Sequence, residues 1–359
     1  MGKATPMTNQ ISPKMERLDH LDAVRGLCVL LIVIEHHLLD ADFVVRYLCS
    51  FSLPPFFLIS GYLYAHKKEW ERPFKAIAAK NIRRLMYPFV TFSIINLIWH
   101  LLYYKVVFRT TVPDSVTLPE LLLYSVTTYG YNALWYLPAM LFGTLLFFAI
   151  RKQKHHRLIW AVSAVLIIVL YILFDKKLSG HGIFSYIYCY LFRSTMAMIF
   201  IYAGHLLYEL LPRIRGKRET FVLTVSALLS GGIMLLYLFA PAHFPIVNLS
   251  AHRLGNPYFY YLSAIAPAMV MFLLCRRFAK PKGLLAFFGR NSLIIMATHM
   301  DILVRIAWYI VAKLQLNFGE TVNSLIVIAL ELAMVPVIVP VIHRFFPFIL
   351  KFPQKTATH

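Results

Sequence analysis

Long apolar runs recur along the chain of 359 residues, separated by short polar stretches. Each run is long enough for a helix to cross roughly 30 Å of hydrocarbon. In order, the runs predict spans near 21–39, 44–65, 85–107, 134–150, 158–174, 191–211, 220–239, 259–275, 293–313 and 325–348. Ten such helices make an all-α, polytopic transmembrane helix bundle. No linker, low-complexity segment or repeat divides them. The expected organisation is a polar segment at 1–20, one membrane domain over 21–350 and a tail at 351–359.

Composition agrees with that pattern. Apolar residues make up 59 % of the chain and charged residues 14 %, and mean hydropathy is +0.66. These values lie far from those of soluble domains. The first run has no small-residue cleavage site after it and carries Arg, Glu and His inside it, so it reads as a retained signal anchor. The four cysteines lie in or beside apolar runs, without metal-ligand or redox spacing, and read as small buried hydrophobes.

Charge then orients the bundle. One set of alternating loops carries Lys67, Lys68, Arg72, Lys75, Lys80, Arg83 and Arg84, then Arg151, Lys152, Lys154 and Arg157. It continues with Arg213, Arg215, Lys217 and Arg218, and with Arg276, Arg277, Lys280, Lys282 and Arg290. The other set has little beyond Arg109, Lys176, Lys177 and Arg253. The positive-inside rule makes the first set cytoplasmic and puts both termini inside. The same asymmetry, with attraction to anionic membrane lipids, accounts for most of the net charge of +20. Nucleic acid is excluded as a partner, because no soluble basic domain exists to bind it.

Chemistry enters with the first run, LDAVRGLCVLLIVIEHHLL, which holds Arg25 and His36. At about 100° per residue, eleven residues end about 20° past three full turns, so the two share one face. They stand about 16 Å apart along the axis. A guanidinium and an imidazole on one stripe are tolerable in a membrane only where that stripe faces protein or water. The stripe reads as one wall of a passage.

The next runs add candidates. Ser60 and Gly61, in SLPPFFLISGYLY, reach the depth of Arg25 when counted back from the turn near Asp40, and Pro54–Pro55 predicts a kink. Ser-Gly is also an ordinary packing notch. Lys80, Arg83 and Arg84 form a basic cluster on the same rim. Such a cluster anchors a helix or, with Arg25, clamps a phosphate bidentately. His100 approaches the depth of His36. Tyr131, Trp135 and Tyr136, after the longest loop on the opposite side, suit an interfacial belt or a platform for a sugar. Later spans bring Arg193, His205, Glu209, His299, Asp301, Arg305, Glu331 and His343, several of them near helix ends where snorkelling explains them. Asp301 and Arg305, four apart, read as an ion pair. Asn291–Ser292 reads as a loop and cap before His299, which could itself face the passage as a supporting residue.

These residues, in this order, resemble the acyltransferase-3 family of integral-membrane acyltransferases. The resemblance rests on Leu21-Asp22-x-x-Arg25-Gly26 with His36, on FFLISGYLY at Phe56–Tyr64, and on Arg83-Arg84 before Pro88. It continues through Leu134-Trp135-Tyr136-Leu137-Pro138 to Gly289-x-Asn291-Ser292-Leu293 preceding His299. It implies a multi-pass enzyme of the bacterial inner membrane, closest to the short O-acetyltransferases without an appended esterase-like domain. It further implies cytosolic acetyl-CoA as co-substrate, no permanently bound cofactor or metal, and a hydroxyl on a cell-surface or lipid-linked glycan as acceptor. Carried over, Arg25 and His36 are the essential pair, Arg83 and Arg84 hold the CoA phosphates, and Ser60-Gly61 lines the donor site. Where the family has an isolated histidine this chain has Glu35-His36-His37, which leaves His37 or Glu35 open to share the role. The helical count favours His36.

A neutral imidazole suits deprotonation of a hydroxyl, or carries the acetyl group covalently. Asp40, one turn on, is placed to orient it. Arg25 anchors the donor or stabilises charge on the thioester oxygen. The competing class is a proton-coupled transporter or flippase, which intramembrane Arg, His and Asp and a broken helix also suit. No inverted repeat supports it.

Overall fold

The structure, a computed structural model, describes residues 18–38, 42–103, 118–178, 183–280 and 283–350. The chain opens with α1 (Asp19–Glu35), α2 (Phe43–Phe51), α3 (Pro54–His66), α4 (Phe74–Leu102) and α5 (Leu118–Val126). Next come α6 (Tyr136–Arg151), α7 (His156–Leu178), α8 (Ile183–Leu210) and α9 (Lys217–Phe239). A two-residue pair of strands, β1 (Val247–Asn248) and β2 (Arg253–Leu254), pairs antiparallel in the loop that follows. The rest is α10 (Tyr260–Phe278), α11 (Leu284–Arg290), α12 (Ser292–Thr298), α13 (Val304–Lys313) and α14 (Glu320–Phe345).

Nine helical stretches among the described residues are long and apolar enough to cross a membrane. The chain is therefore an all-α, multi-pass membrane protein. The tenth run predicted by the sequence is α1, whose 17 residues span about 26 Å. It is wrapped by protein, and nine of its residues are buried. By contrast, only 6 % of the most apolar window of α7 and 17 % of that of α9 is buried, which places both at the lipid-facing periphery.

The elements start where local chemistry dictates. Asp19 and Asp22 put negative charge on the first turn of α1, where the helix dipole favours it. Pro54 and Pro55 end α2 and occupy the first turn of α3, whose amides need no helical partner. α2 and α3 thus cross the membrane as one broken span, Phe43–His66, as the two prolines predict. α4 begins eleven residues ahead of the predicted start at 85, so Lys80, Arg83 and Arg84 ride on the helix itself. α8 begins eight residues ahead of the predicted start at 191, which carries Arg193 well inside it.

Two helix crossings set the positions of the polar stripe. α1 packs on α11 through Gly26 and Gly289, each lying on the backbone of the other helix. A Cβ on Gly26 would lie 1.8 Å from the Leu285 carbonyl oxygen, and one on Gly289 would lie 1.7 Å from that of Asp22. α3 crosses α8 in the same way. A Cβ on Gly61 would meet the Ile201 oxygen at 1.7 Å, and one on Gly204 would meet the Leu58 oxygen at 1.9 Å. Small residues at such crossings let helix backbones touch where hydrocarbon supplies no drive to pack. Between α12 and α13 the chain takes a π-helical turn, His299–Leu303. Turns of this type commonly re-aim a side chain at a functional site.

Candidate active site

Arg25 and His36 open onto two cavities that meet. His36 lies one residue beyond the last helical residue of α1, with near-helical angles (φ −80°, ψ −9°), and so continues the stripe on which Arg25 stands. It is exposed into a cavity of about 570 Å³. Tyr131, Trp135 and Tyr136 line this space from one side, and the β1–β2 hairpin lines it from another. Arg25 lines a narrower cavity of about 200 Å³ with Ser60, Arg84 and Ser292. Ala133, Tyr136 and Met296 belong to the walls of both. The larger volume falls within the range of small-molecule sites.

Hydrogen bonding fixes the chemical form of His36. Its Nδ1 lies 2.6 Å from the Ile32 carbonyl oxygen. A carbonyl only accepts, so Nδ1 carries a proton, and in the neutral ring Nε2 is the nitrogen that holds the lone pair. The edge of one imidazole meets the face of the other where His36 packs against His299, with centroids 5.2 Å apart. His299 is 1 % exposed, its Nδ1 lies 3.0 Å from the Met296 oxygen, and its Nε2 has no hydrogen-bond partner.

The neighbouring residues point elsewhere. His37 turns to α14, where its Nε2 lies 2.6 Å from the Glu331 carboxylate, both side chains being buried. Glu35 remains in the wall of the larger cavity beside Ser52 and Cys49. Of the three adjacent polar residues, His36 is the basic side chain presented to the cavity. Asp40 lies outside the described residues.

At the other end, Arg25 pairs with Asp22 at 3.7 Å while facing the narrow cavity. Arg84 donates to the Tyr64 hydroxyl at 3.0 Å, and that hydroxyl bonds in turn to Asn81 at 3.1 Å. This chain of bonds holds the guanidinium at the cavity rim. Lys80 is paired with the buried Glu69, and Arg83 is exposed on α4; neither lines the cavity. Gly61 faces α8, for the packing reason given above, and does not touch the cavity. His100 is buried with its ring against Tyr131, centroids 6.4 Å apart, and lines neither space.

Other polar residues have structural partners. Asp301 and Arg305 approach to 3.8 Å, and Arg305 lies over the Tyr103 ring. His205 and Glu209 join Arg151 and Arg157 in a network at the basic end that touches neither cavity. Asn291 caps nothing. Its Nδ2 donates to the Phe287 carbonyl and its Oδ1 accepts from His343 Nε2 at 3.0 Å, because α12 follows α11 almost without a loop. Arg193, which its position near a predicted helix end made look peripheral, lines the larger cavity.

The His36 imidazole thus lines one cavity and the Arg25 and Arg84 guanidinium groups line the other, and the two cavities share three wall residues. A family model described as an acyltransferase domain matches residues 18–343 of the 359. Comparison with the curated proteins and with the solved structures found no match.

Proposed function

The chain belongs to the acyltransferase-3 family, and from that premise we propose that it is a membrane O-acetyltransferase of the bacterial inner membrane. It takes acetyl groups from cytosolic acetyl-CoA and places them on a hydroxyl of a cell-surface or lipid-linked glycan. The observation that carries this reading is the pair of cavities meeting at Tyr136 and Met296, one with Arg25 and Arg84, the other with His36.

The donor enters at the basic end, where Arg25 and Arg84 take its phosphates and Ser60 lies beside the pantetheine arm. About 16 Å separates Arg25 from His36 along the stripe, a span suited to a long, thin thioester. The acceptor sugar stacks on Tyr131, Trp135 and Tyr136. Its hydroxyl gives a proton to Nε2 of His36 as the oxygen attacks the thioester carbonyl carbon. The carbon–sulfur bond then breaks, the acetyl ester forms, and the imidazolium returns the proton to the departing thiolate. Ile32 holds Nδ1–H throughout and so sets the tautomer this cycle needs.

The test is thiol release from acetyl-CoA by purified protein supplied with a membrane glycan extract. Wild-type protein is expected to release CoA and label the glycan. His36→Ala is expected to lose about 10²-fold or more of that rate while staying at normal level in the membrane. Solute movement without thioester consumption would instead identify a carrier.

A further inference from the structure

Arg193 stands ten residues into α8 with 5 % of its surface exposed, yet it lines the larger cavity. Its Nε donates to the Ser250 carbonyl at 3.0 Å and its Nη1 to the Tyr129 carbonyl at 2.9 Å. Nη2 donates to Ser250 as well. The guanidinium also lies over two rings, 4.3 Å from the centre of Tyr129 and 5.1 Å from that of Trp135. None of these partners carries a negative charge. Burial raises the Tyr129 phenol well above its ordinary range and keeps it neutral. Among the described residues, no carboxylate comes within ion-pair distance of Arg193.

Among the described residues, carbonyl dipoles and ring faces alone match this buried cation, and none supplies a counter-charge. Three of its five N–H donors are used, and two remain on the terminal nitrogens. Arg253, exposed on β2, lines the same cavity from the hairpin. Two guanidinium groups on different elements therefore face one space. Among the described residues, the one acidic side chain in its wall is Glu35, on α1 beside the histidine.

We propose that the acceptor carries an oxyanion, a carboxylate or a phosphate, and that Arg193 and Arg253 bind it. The anion supplies the missing counter-charge, and its fixed position turns the neighbouring hydroxyl toward His36 while the aromatic wall holds the sugar ring. This deepens the acetyl-transfer reading and rests on it for the role of the cavity, but it is tested by binding alone. Calorimetric titration of the purified full chain uses tetragalacturonate, its uncharged methyl ester, glucose 1-phosphate and methyl glucoside.

An anionic probe is expected to bind about tenfold or more tightly than its neutral counterpart, and to weaken as salt rises. A preference within the uronate pair assigns a carboxylate, and a preference within the glucose pair assigns a phosphate. Arg193→Gln is expected to abolish the preference, and Arg193→Lys to keep part of it. Arg253→Gln, at an exposed site where folding is not at risk, is expected to weaken anion binding about threefold without changing neutral binding. Equal or tighter binding of the neutral probes, no binding of any probe, or a preference that survives both glutamine variants overturns the proposal. CoA release from acetyl-CoA, followed in parallel, stands or falls separately and reports on the acetyl-transfer reading.

Discussion

Two adjacent histidines meet opposite surroundings. His36 lines a cavity with its Nδ1 held by the Ile32 carbonyl, whereas His37 is buried against Glu331 on α14, 294 residues away in sequence. The helical count from Arg25 distinguishes them, because His37 falls about 120° off the stripe. The carboxylate that holds His37 is not legible in the same way, since no periodicity links residues so far apart. Arg193 reads as peripheral in the sequence for a simpler reason. The aromatic-rich stretch before it is helical from Ile183, and starting the run at 191 leaves the arginine at a frayed end. Breaking the buried His37–Glu331 pair leaves one partner unsatisfied, so Glu331→Ala is expected to lose about 3–5 kcal/mol of stability. Thermal unfolding of the detergent-solubilised protein checks this. Glu331→Gln, which can still accept from the imidazole, is expected to lose clearly less.

At the scale of elements, helix identity and order were readable because apolar runs of membrane length admit little else. Their ends were less readable. α4 and α8 start earlier than the apolar pattern alone suggests, because charged and aromatic residues extend helices through the interfacial layer. Pro54–Pro55 marked the break between α2 and α3 correctly, while the π turn at His299–Leu303 carries no composition signal. Ser60-Gly61 divides between the two readings its sequence allowed. Ser60 lines the narrow cavity, and Gly61 is the notch through which α3 meets α8. Since the obstacle at Gly61 is backbone, Gly61→Ala is expected to cost stability and lower the yield of folded protein in membranes. Gly231 on α9 has no atom within 4 Å of an added Cβ. Gly231→Ala is therefore expected to be neutral or to stabilise by about 0.5–1 kcal/mol, as an alanine does in a helix interior. Melting curves of the two variants side by side check the contrast.

Across the whole molecule, charge asymmetry and site geometry coincide. The basic loops gather at the end where Arg25 and Arg84 line the narrow cavity. The hairpin and aromatic loop that enclose His36 belong to the end with few cations. In the proposed reaction, a phosphate-bearing donor and an acceptor approach from opposite sides and meet beside Tyr136. Acyl transfer follows from family membership, whereas the identity of donor and acceptor rests on the proposed use of these two cavities. The most direct test is the position of a bound non-hydrolysable acetyl-CoA analogue in the purified protein, determined by electron cryomicroscopy. The account predicts density with phosphates at Arg25 and Arg84 and the acyl end at Tyr136, facing His36. Donor density confined to the surface, or entering from the hairpin side, would contradict it.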